Sequence, residues 1–330
     1  MLKDQFNRKI SYLRVSVTDR CDLRCLYCME ENMVFLPKKD VLSLEELHKL
    51  CSIFINLGVK KIRLTGGEPL VRKNVISLIK NLGEHIRTGE LDELTLTTNG
   101  MHLEKYSEEM FKSGIRRVNV SLDTLDLFKY KKITRWGNLK KVISGIMAAK
   151  SAGIKVKINT VALRNFNDDE YDNLIEWCGK NNFDITFIET MPMGEVQQDR
   201  NKSFLPLNIL RSSLDKSWTF REIKHETPGP ARYLYCNEAG IKVGFISPLS
   251  HNFCSTCNRV RLTCTGKLYM CLGQDDFVDL GKILRKNENK EKIYDLIFQA
   301  MQTKPKEHDF IINKQQLKPA VKRHMSVTGG

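Results

Sequence analysis

Six of the ten cysteines of this 330-residue chain fall in two groups, Cys21, Cys25 and Cys28, then Cys254, Cys257 and Cys271. Grouping of this kind points to metal ligation rather than to a disulfide framework. A [4Fe–4S] cube has four irons, each needing an outer ligand, and soft thiolate suits iron. The first three cysteines lie within eight residues, on a loop expected after a strand, and can wrap three corners of the cube while the fourth iron stays open. Zinc usually takes four ligands, and no fourth one lies nearby. A Cys-x2-Cys-x2-Cys run would be ferredoxin-like, but this run is Cys-x3-Cys-x2-Cys.

An open iron can chelate the amino and carboxylate groups of S-adenosylmethionine (SAM). An electron passed into the sulfonium then breaks a C–S bond and gives a 5′-deoxyadenosyl radical. Tyr27, just before the third cysteine, matches the radical SAM pattern. Gly66-Gly67-Glu68-Pro69 stands at the next strand end, where glycines let the backbone approach a ligand closely and strand-end carbonyls can accept from an amino group.

The second group, Cys254-x2-Cys257-x13-Cys271, can hold a second cluster; with Cys264 it offers four thiolates that zinc would accept, and spacing leaves both readings open. Asn258-Arg259-Val260-Arg261 follows directly. In an extended segment Arg259 and Arg261 share a face, which suits bidentate phosphate binding, against the reading of two solvated surface arginines. Arg14, Arg63 and Lys157 sit in or at the ends of expected strands, where an inward cation needs an anionic partner.

The elements that must position these groups alternate. Strands are expected at 11–17, 60–65, 93–98, 116–121, 155–162 and 184–189, with helices at 43–57, 75–86, 103–112, 139–152 and 168–179 between them. Ser43-x-x-Glu46 is a capping box for the first helix. Six strands alternating with helices imply a parallel sheet with right-handed crossovers, and a curved sheet of this size makes a partial barrel. Functional groups then collect at the C-terminal strand ends, where the informative segments fall. After about residue 195 the pattern breaks, and the second cysteine group lies in a short β-like region.

A hydrophobic share of 41% and a charged share of 28% fit a globular protein. No apolar run approaches a membrane span of roughly 18 residues, and the first residues lack the apolar core of a secretory signal, so a cytoplasmic location is expected. The net charge of +14 suits either a solvated basic surface or an anionic partner. A zinc-bearing nucleic-acid-binding protein would share that charge, but offers no account of the first cysteine group.

Together, Thr18 to Cys28, Arg63 to Leu70, Thr97-Thr98-Asn99-Gly100, Asn119 to Asp123, the Cys254 to Arg261 segment, Cys271 and the terminal Gly329-Gly330 resemble the GTP 3′,8-cyclases of the radical SAM superfamily over nearly the whole chain. The resemblance implies an α/β fold: a partial (β/α)6 TIM-type barrel over residues 1–235, closed by a C-terminal region, 236–330, that carries a second [4Fe–4S] cluster. It assigns Cys21, Cys25 and Cys28 to the SAM-side cluster, and Cys254, Cys257 and Cys271 to the GTP-side cluster, leaving Cys264 a non-ligand. Tyr27, Gly67, Ser121 and Met191 match family SAM contacts. Arg14, Arg63, Thr97, Lys157 and Arg259-Val260-Arg261 match GTP contacts, with Lys155 competing for the role of Lys157. Arg259, Arg261 and the Gly329-Gly330 tail match catalytic positions.

The activity so implied is the first step of molybdenum cofactor biosynthesis. The 5′-deoxyadenosyl radical takes the 3′ hydrogen of GTP, C3′ then bonds to C8 of guanine to close a ring, and an electron and a proton give 3′,8-cyclo-7,8-dihydro-GTP. The expected partners are GTP, SAM, an electron donor of flavodoxin or ferredoxin type and a downstream pterin synthase. Neither membrane nor nucleic acid is expected, and the protein is expected to be a monomer or homodimer. The nearest rival is a radical SAM peptide-modifying maturase with an auxiliary cluster.

Overall fold

The computed structural model describes all residues except 197–198, 224–228, 252, 287–289, 309, 311–318 and 330. Six β/α steps open the chain. Strands β1 (Tyr12–Ser16), β2 (Lys61–Thr65), β3 (Glu93–Thr98), β4 (Arg117–Ser121), β5 (Lys155–Ala162) and β6 (Asp184–Glu189) pair in that order, all parallel. Helices α1 (Leu44–Asn56), α2 (Val75–Arg87), α3 (Leu103–Lys112), α4 (Leu127–Thr134), α5 (Leu139–Ser151) and α6 (Tyr171–Asn181) connect them. The capping box forms: Ser43 Oγ accepts from the Glu46 amide at 3.1 Å, and Glu46 Oε2 accepts from the Ser43 amide at 2.6 Å.

The remaining elements are α7 (Arg200–Ser203), α8 (Leu207–Leu214), β7 (Phe220–Glu222), β8 (Arg232–Cys236), β9 (Ile241–Ile246), β10 (Arg259–Leu262), β11 (Lys267–Tyr269), β12 (Phe277–Asp279), α9 (Leu280–Arg285), α10 (Lys290–Gln302) and α11 (Met325–Thr328). Two of these strands join the parallel sheet at its opposite edges, β9 beside β6 and β10 beside β1. Antiparallel β8 and β7 follow at one margin, β11 and β12 at the other, so twelve strands form one sheet. The barrel is thus extended at both ends by the C-terminal half, and the expected boundary after residue 235 falls inside β8.

Side-chain alternation decides what the sheet encloses. Leu13 and Val15, Ile62 and Leu64, Leu94 and Leu96, Val118 and Val120, Val156 and Ile158 belong to the hydrophobic core with the helices. Their alternates, Arg14, Arg63, Asn119 and Lys157 among them, are also buried but line an interior cavity. A parallel sheet ordinarily buries apolar side chains on both faces; here the inner face is polar.

Three elements depart from the sequence reading. Helix α4 occupies a stretch for which no element was expected, started by Asp126, whose Oδ1 accepts from the Lys129 amide at 2.8 Å. Helix α8 lies beyond residue 195, where irregular chain was expected. Helix α6 starts at Tyr171 rather than 168, because Asp168 Oδ2 accepts from the Asn165 amide at 3.0 Å and so belongs to the preceding turn.

Candidate active site

The loop after β1 carries Cys21, Cys25 and Cys28, and all three line one cavity with Tyr27, Gly67, Ser121 and Met191. Backbone pairing fixes the loop on two sides. The Arg24 and Leu26 amides donate to the Thr134 and Ile133 carbonyls, each at 3.0 Å, so the unforeseen α4 backs the cysteines. On the other side the Gly67 amide donates to the Thr18 carbonyl at 2.9 Å and the Glu68 amide to the Arg20 carbonyl at 2.8 Å. That contact demands glycine: a Cβ at Gly67 would stand 2.1 Å from the Arg20 carbonyl oxygen. Glu68 is buried beneath, accepting from the Leu70 amide, Thr98 Oγ1 and the Asn99 amide at 3.0, 2.8 and 2.7 Å. Burial outweighs these bonds and pushes its carboxyl up to about 7.

Tyr27 is held by its hydroxyl, which donates to Asp123 Oδ2 at 2.7 Å, while Asp123 Oδ1 accepts from the Val161 amide at 2.8 Å. Burial pushes Cys28 up to about 11, and Cys21 and Cys25 well above the ordinary thiol value. Such thiols ionise when a metal supplies the compensating charge. The donor set, three thiols in one cavity beside a glycine cradle, fits a three-cysteine cubane with one free corner.

Cys254, Cys257 and Cys271 line a second cavity. Cys264 does not join them. It is fully buried at the other side of β10, near Asp19 and Arg72, and its carbonyl accepts from the Leu42 amide at 2.8 Å. The four-thiolate zinc set is therefore not assembled, and among the described residues no group of three metal-ligating side chains closes around a single ion. The donor set again fits a cubane, whose corner thiolates each sit on a different iron. Cys257 differs electrostatically from its neighbours. Burial raises its pKa, but Arg259 and Lys304 outweigh that and bring it down to about 6.

Seven cations line this second cavity: Arg14, Lys61, Arg63, Arg117, Lys157, Arg259 and Arg261. Among its described lining residues there is no carboxylate. Register sets Arg261, Arg14 and Arg63 side by side on β10, β1 and β2. Glu93 pairs with Lys61 and Arg117 at 2.5 Å each, at the edge. Lys157 Nζ donates to Tyr233 Oη at 2.9 Å, and burial together with Arg63, Arg117 and Lys61 holds its pKa well below the ordinary lysine value. Lys155, its competitor, is exposed at the foot of β5. Val260 points away from its two arginines into the core.

The two cavities share a wall made by Asn159, Ile188 and Met191. Thr97 faces the first cavity rather than the cation-lined one. The buried atoms Arg63 Nε, Thr97 Oγ1, Asn119 Oδ1 and Asn159 Oδ1 have no hydrogen-bond partner among the described residues, as expected of groups that receive a ligand. The C-terminal tail reaches this junction: Met325 and Ser326 line the first cavity, and Arg261 Nη1 donates to the Thr328 carbonyl at 3.2 Å and to the Gly329 carbonyl. Gly330 lies outside the described residues.

Sequence reasoning missed Lys61, Arg117, Asn119, Asn159, Tyr233 and Lys304. All but the last two lie on strands where polar residues alternate with buried apolar ones, a signal already present in Lys61-Ile62-Arg63-Leu64 and Arg117-Val118-Asn119-Val120.

The Radical SAM superfamily profile matches residues 15–178, and the Molybdenum Cofactor Synthesis C profile residues 183–310. Curated proteins named GTP 3′,8-cyclase from Mesorhizobium japonicum and Agrobacterium fabrum are each 58% identical over 327 residues, covering 99% of this chain and 99% and 94% of theirs. Among solved structures, Streptococcus suis SuiB bound to S-adenosylmethionine aligns over 97% of this chain and 77% of its own, with a TM-score of 0.66 at 14% identity. SuiB bound to its precursor peptide SuiA aligns with a TM-score of 0.62 at 13% identity, over 98% of this chain and 77% of its own. These two structures show the fold alone. No helix of the described residues is long and apolar enough to cross a membrane.

Proposed function

The chain belongs to the GTP 3′,8-cyclase family of radical SAM enzymes, and from that premise we propose that its two cavities divide one reaction between them. The enzyme converts GTP to (8S)-3′,8-cyclo-7,8-dihydro-GTP, the first step of molybdenum cofactor biosynthesis. When bound, the first cluster supplies an electron and SAM the 5′-deoxyadenosyl radical that takes the 3′ hydrogen of GTP.

Everything else is the work of this chain's residues. Cys21, Cys25 and Cys28 hold the first cluster, and Tyr27, Gly67, Ser121 and Met191 shape the SAM side. Cys254, Cys257 and Cys271 would hold a second [4Fe–4S] cluster, which would supply an iron site for the guanine. Arg14, Arg63, Lys157, Arg259 and Arg261 take the triphosphate, joined by Lys61 and Arg117. Arg259, Arg261, Gly329 and Gly330 are the catalytic residues of this reading, Gly330 lying outside the described residues. Thr97 stands at the SAM side of the junction, and Val260 contributes backbone only. Fixing both partners across one wall can supply roughly 7–11 kcal/mol of a barrier.

The observation that carries this reading is the shared wall of Asn159, Ile188 and Met191, with thiols beyond it on both sides and a carboxylate-free ring of cations on one. A flavodoxin- or ferredoxin-type donor would supply the electron, and a pterin synthase would take the product. Anaerobic reconstitution with iron, sulfide, reductant, SAM and GTP tests it. Arg259→Ala and Arg261→Ala should each keep SAM binding and lose product; undiminished GTP turnover in both overturns the assignment.

A further inference from the structure

Among the described residues Lys304 is the largest charged side chain buried to the limit, 2% exposed, and the proposed reaction does not use it. An ammonium has three N–H donors and no acceptor. Here all three are directed: Nζ lies 3.0 Å from the Arg259 carbonyl, 2.6 Å from the Met270 carbonyl and 3.7 Å from Cys257 Sγ. None of these partners is a carboxylate. A buried cation without a counter-charge is costly, and the one side-chain atom that Nζ meets among these three is Cys257 Sγ.

The three acceptors are not scattered. Arg259 follows Cys257 by two residues, and Met270 immediately precedes Cys271. One side chain therefore ties the segment that bears Cys257 to the segment that bears Cys271. The segment carrying Lys304 is itself anchored. Arg8 Nη1 donates to the Cys254 carbonyl at 2.7 Å and the Lys306 carbonyl at 2.8 Å, and Nη2 to the Pro305 carbonyl at 2.6 Å. Arg8 is oriented by Asp4, which accepts from Nε at 2.6 Å.

We propose that Lys304 is a positioning residue for the second cluster: it sets the spacing of Cys257 and Cys271 and places a positive charge, through an N–H···S contact, against the cluster that those cysteines hold. This rests on the reading of Cys254, Cys257 and Cys271 as cluster ligands. The charge favours the reduced, more negative state of the cluster, and the brace resists loss of iron. Groups outside the ligand set tune metal sites in this way, and losing one costs about 10–100-fold in metal affinity.

The test uses full-length protein with Cys21, Cys25 and Cys28 changed to Ala, so that only the second cluster can form. Reconstituted anaerobically, it is compared with the same protein carrying Lys304→Met or Lys304→Arg. Iron and sulfide content, resistance to a chelator, and the midpoint potential by EPR-monitored titration are measured. Lys304→Met, close in size and uncharged, is expected to lower the potential and to lose iron to chelator at least about tenfold faster. Lys304→Arg is expected to restore most of the potential. Unchanged potential and unchanged iron retention in Lys304→Met overturn the proposal. If the triple-alanine parent binds no iron at all, it is the second-cluster reading that fails. Should Lys304→Met not fold, judged by circular dichroism, the parent protein labelled with 15N-lysine decides: a 15N coupling to the reduced cluster in pulsed EPR supports the contact, and its absence overturns it.

Discussion

Arg261, on β10, donates from Nη1 to the carbonyl of Thr328 at 3.2 Å, and so holds residues 328 and 329 inside the barrel beside Arg14. Thr328 is fully buried there. Gly329 follows with φ 72°, where a Cβ would meet Thr65 Oγ1 at 2.0 Å. Arg261 holds the tail, and in the proposed reaction it would also hold the anion. Burial, with Arg14 and Arg259 close by, holds its pKa well below the ordinary arginine value. An anion at this spot relieves that repulsion. Arg261→Ala is expected to cut cyclised product about 10²-fold while 5′-deoxyadenosine still forms, since a small misplacement of reacting atoms costs that much. Chromatography of both products from one reaction reads the ratio, and equal losses of the two would contradict it.

Gly329→Ala should act on the same junction by a different route. The positive φ and the Thr65 contact leave no room for a methyl group. The tail is expected to withdraw, exposing residues 325–329 to a carboxypeptidase that spares the unaltered protein. Equal trimming of the two proteins would show that the tail is not held where Thr65 and Arg261 place it.

Gly67→Ala should be more damaging than its size suggests. The atom it would meet at 2.1 Å is a backbone carbonyl in the cysteine loop, which cannot rotate away. Overpacking of this kind costs about 1–3 kcal/mol. Thermal unfolding of the protein before iron is added should show a lowered midpoint, and SAM binding by equilibrium dialysis should be lost. Normal SAM affinity would mean that the two loops separate freely.

Triple replacement of Cys21, Cys25 and Cys28 by alanine is expected to remove about four irons of about eight and all SAM cleavage. Metal and sulfide analysis after anaerobic reconstitution measures the first, and 5′-deoxyadenosine the second. SAM cleavage at the unaltered rate would defeat the assignment of the first cavity.

Lys157 makes a prediction about protons. Burial, then Arg63, Arg117 and Lys61, hold its pKa well below the ordinary lysine value. A triphosphate bound beside it favours the charged form and raises that pKa. Between the lowered and the raised pKa, GTP binding must take up a proton; below the lowered value the lysine is already charged and takes up none. Calorimetry in two buffers of different ionisation enthalpy should show uptake that grows as pH rises through that lower pKa, and that Lys157→Met abolishes.

The cysteine spacings, the glycine pair at the end of β2 and the β/α alternation were legible along the chain because each depends on neighbours within a few residues. Cx3Cx2C is a spacing that suits local wrapping of one cube, and Ser43-x-x-Glu46 caps its own helix. The polar alternation of β2 and β4 was equally visible and would have marked Lys61, Arg117 and Asn119 as inward-facing.

What remained undecided depended on which distant segments meet. Cys264 and Cys271 were equally available to Cys254 until the course of β10 and β11 set Cys264 against Asp19 and Arg72. Lys155 and Lys157 share a strand face, and only the depth of the barrel separates the exposed one from the one bonded to Tyr233. The parallel pairing of β9 with β6 and β10 with β1, Lys304 against Cys257, and Arg261 against Thr328 join residues far apart in sequence. No local propensity encodes such contacts. They follow from the single arrangement in which the core packs, the sheet edges are paired, and the buried cations face one chamber.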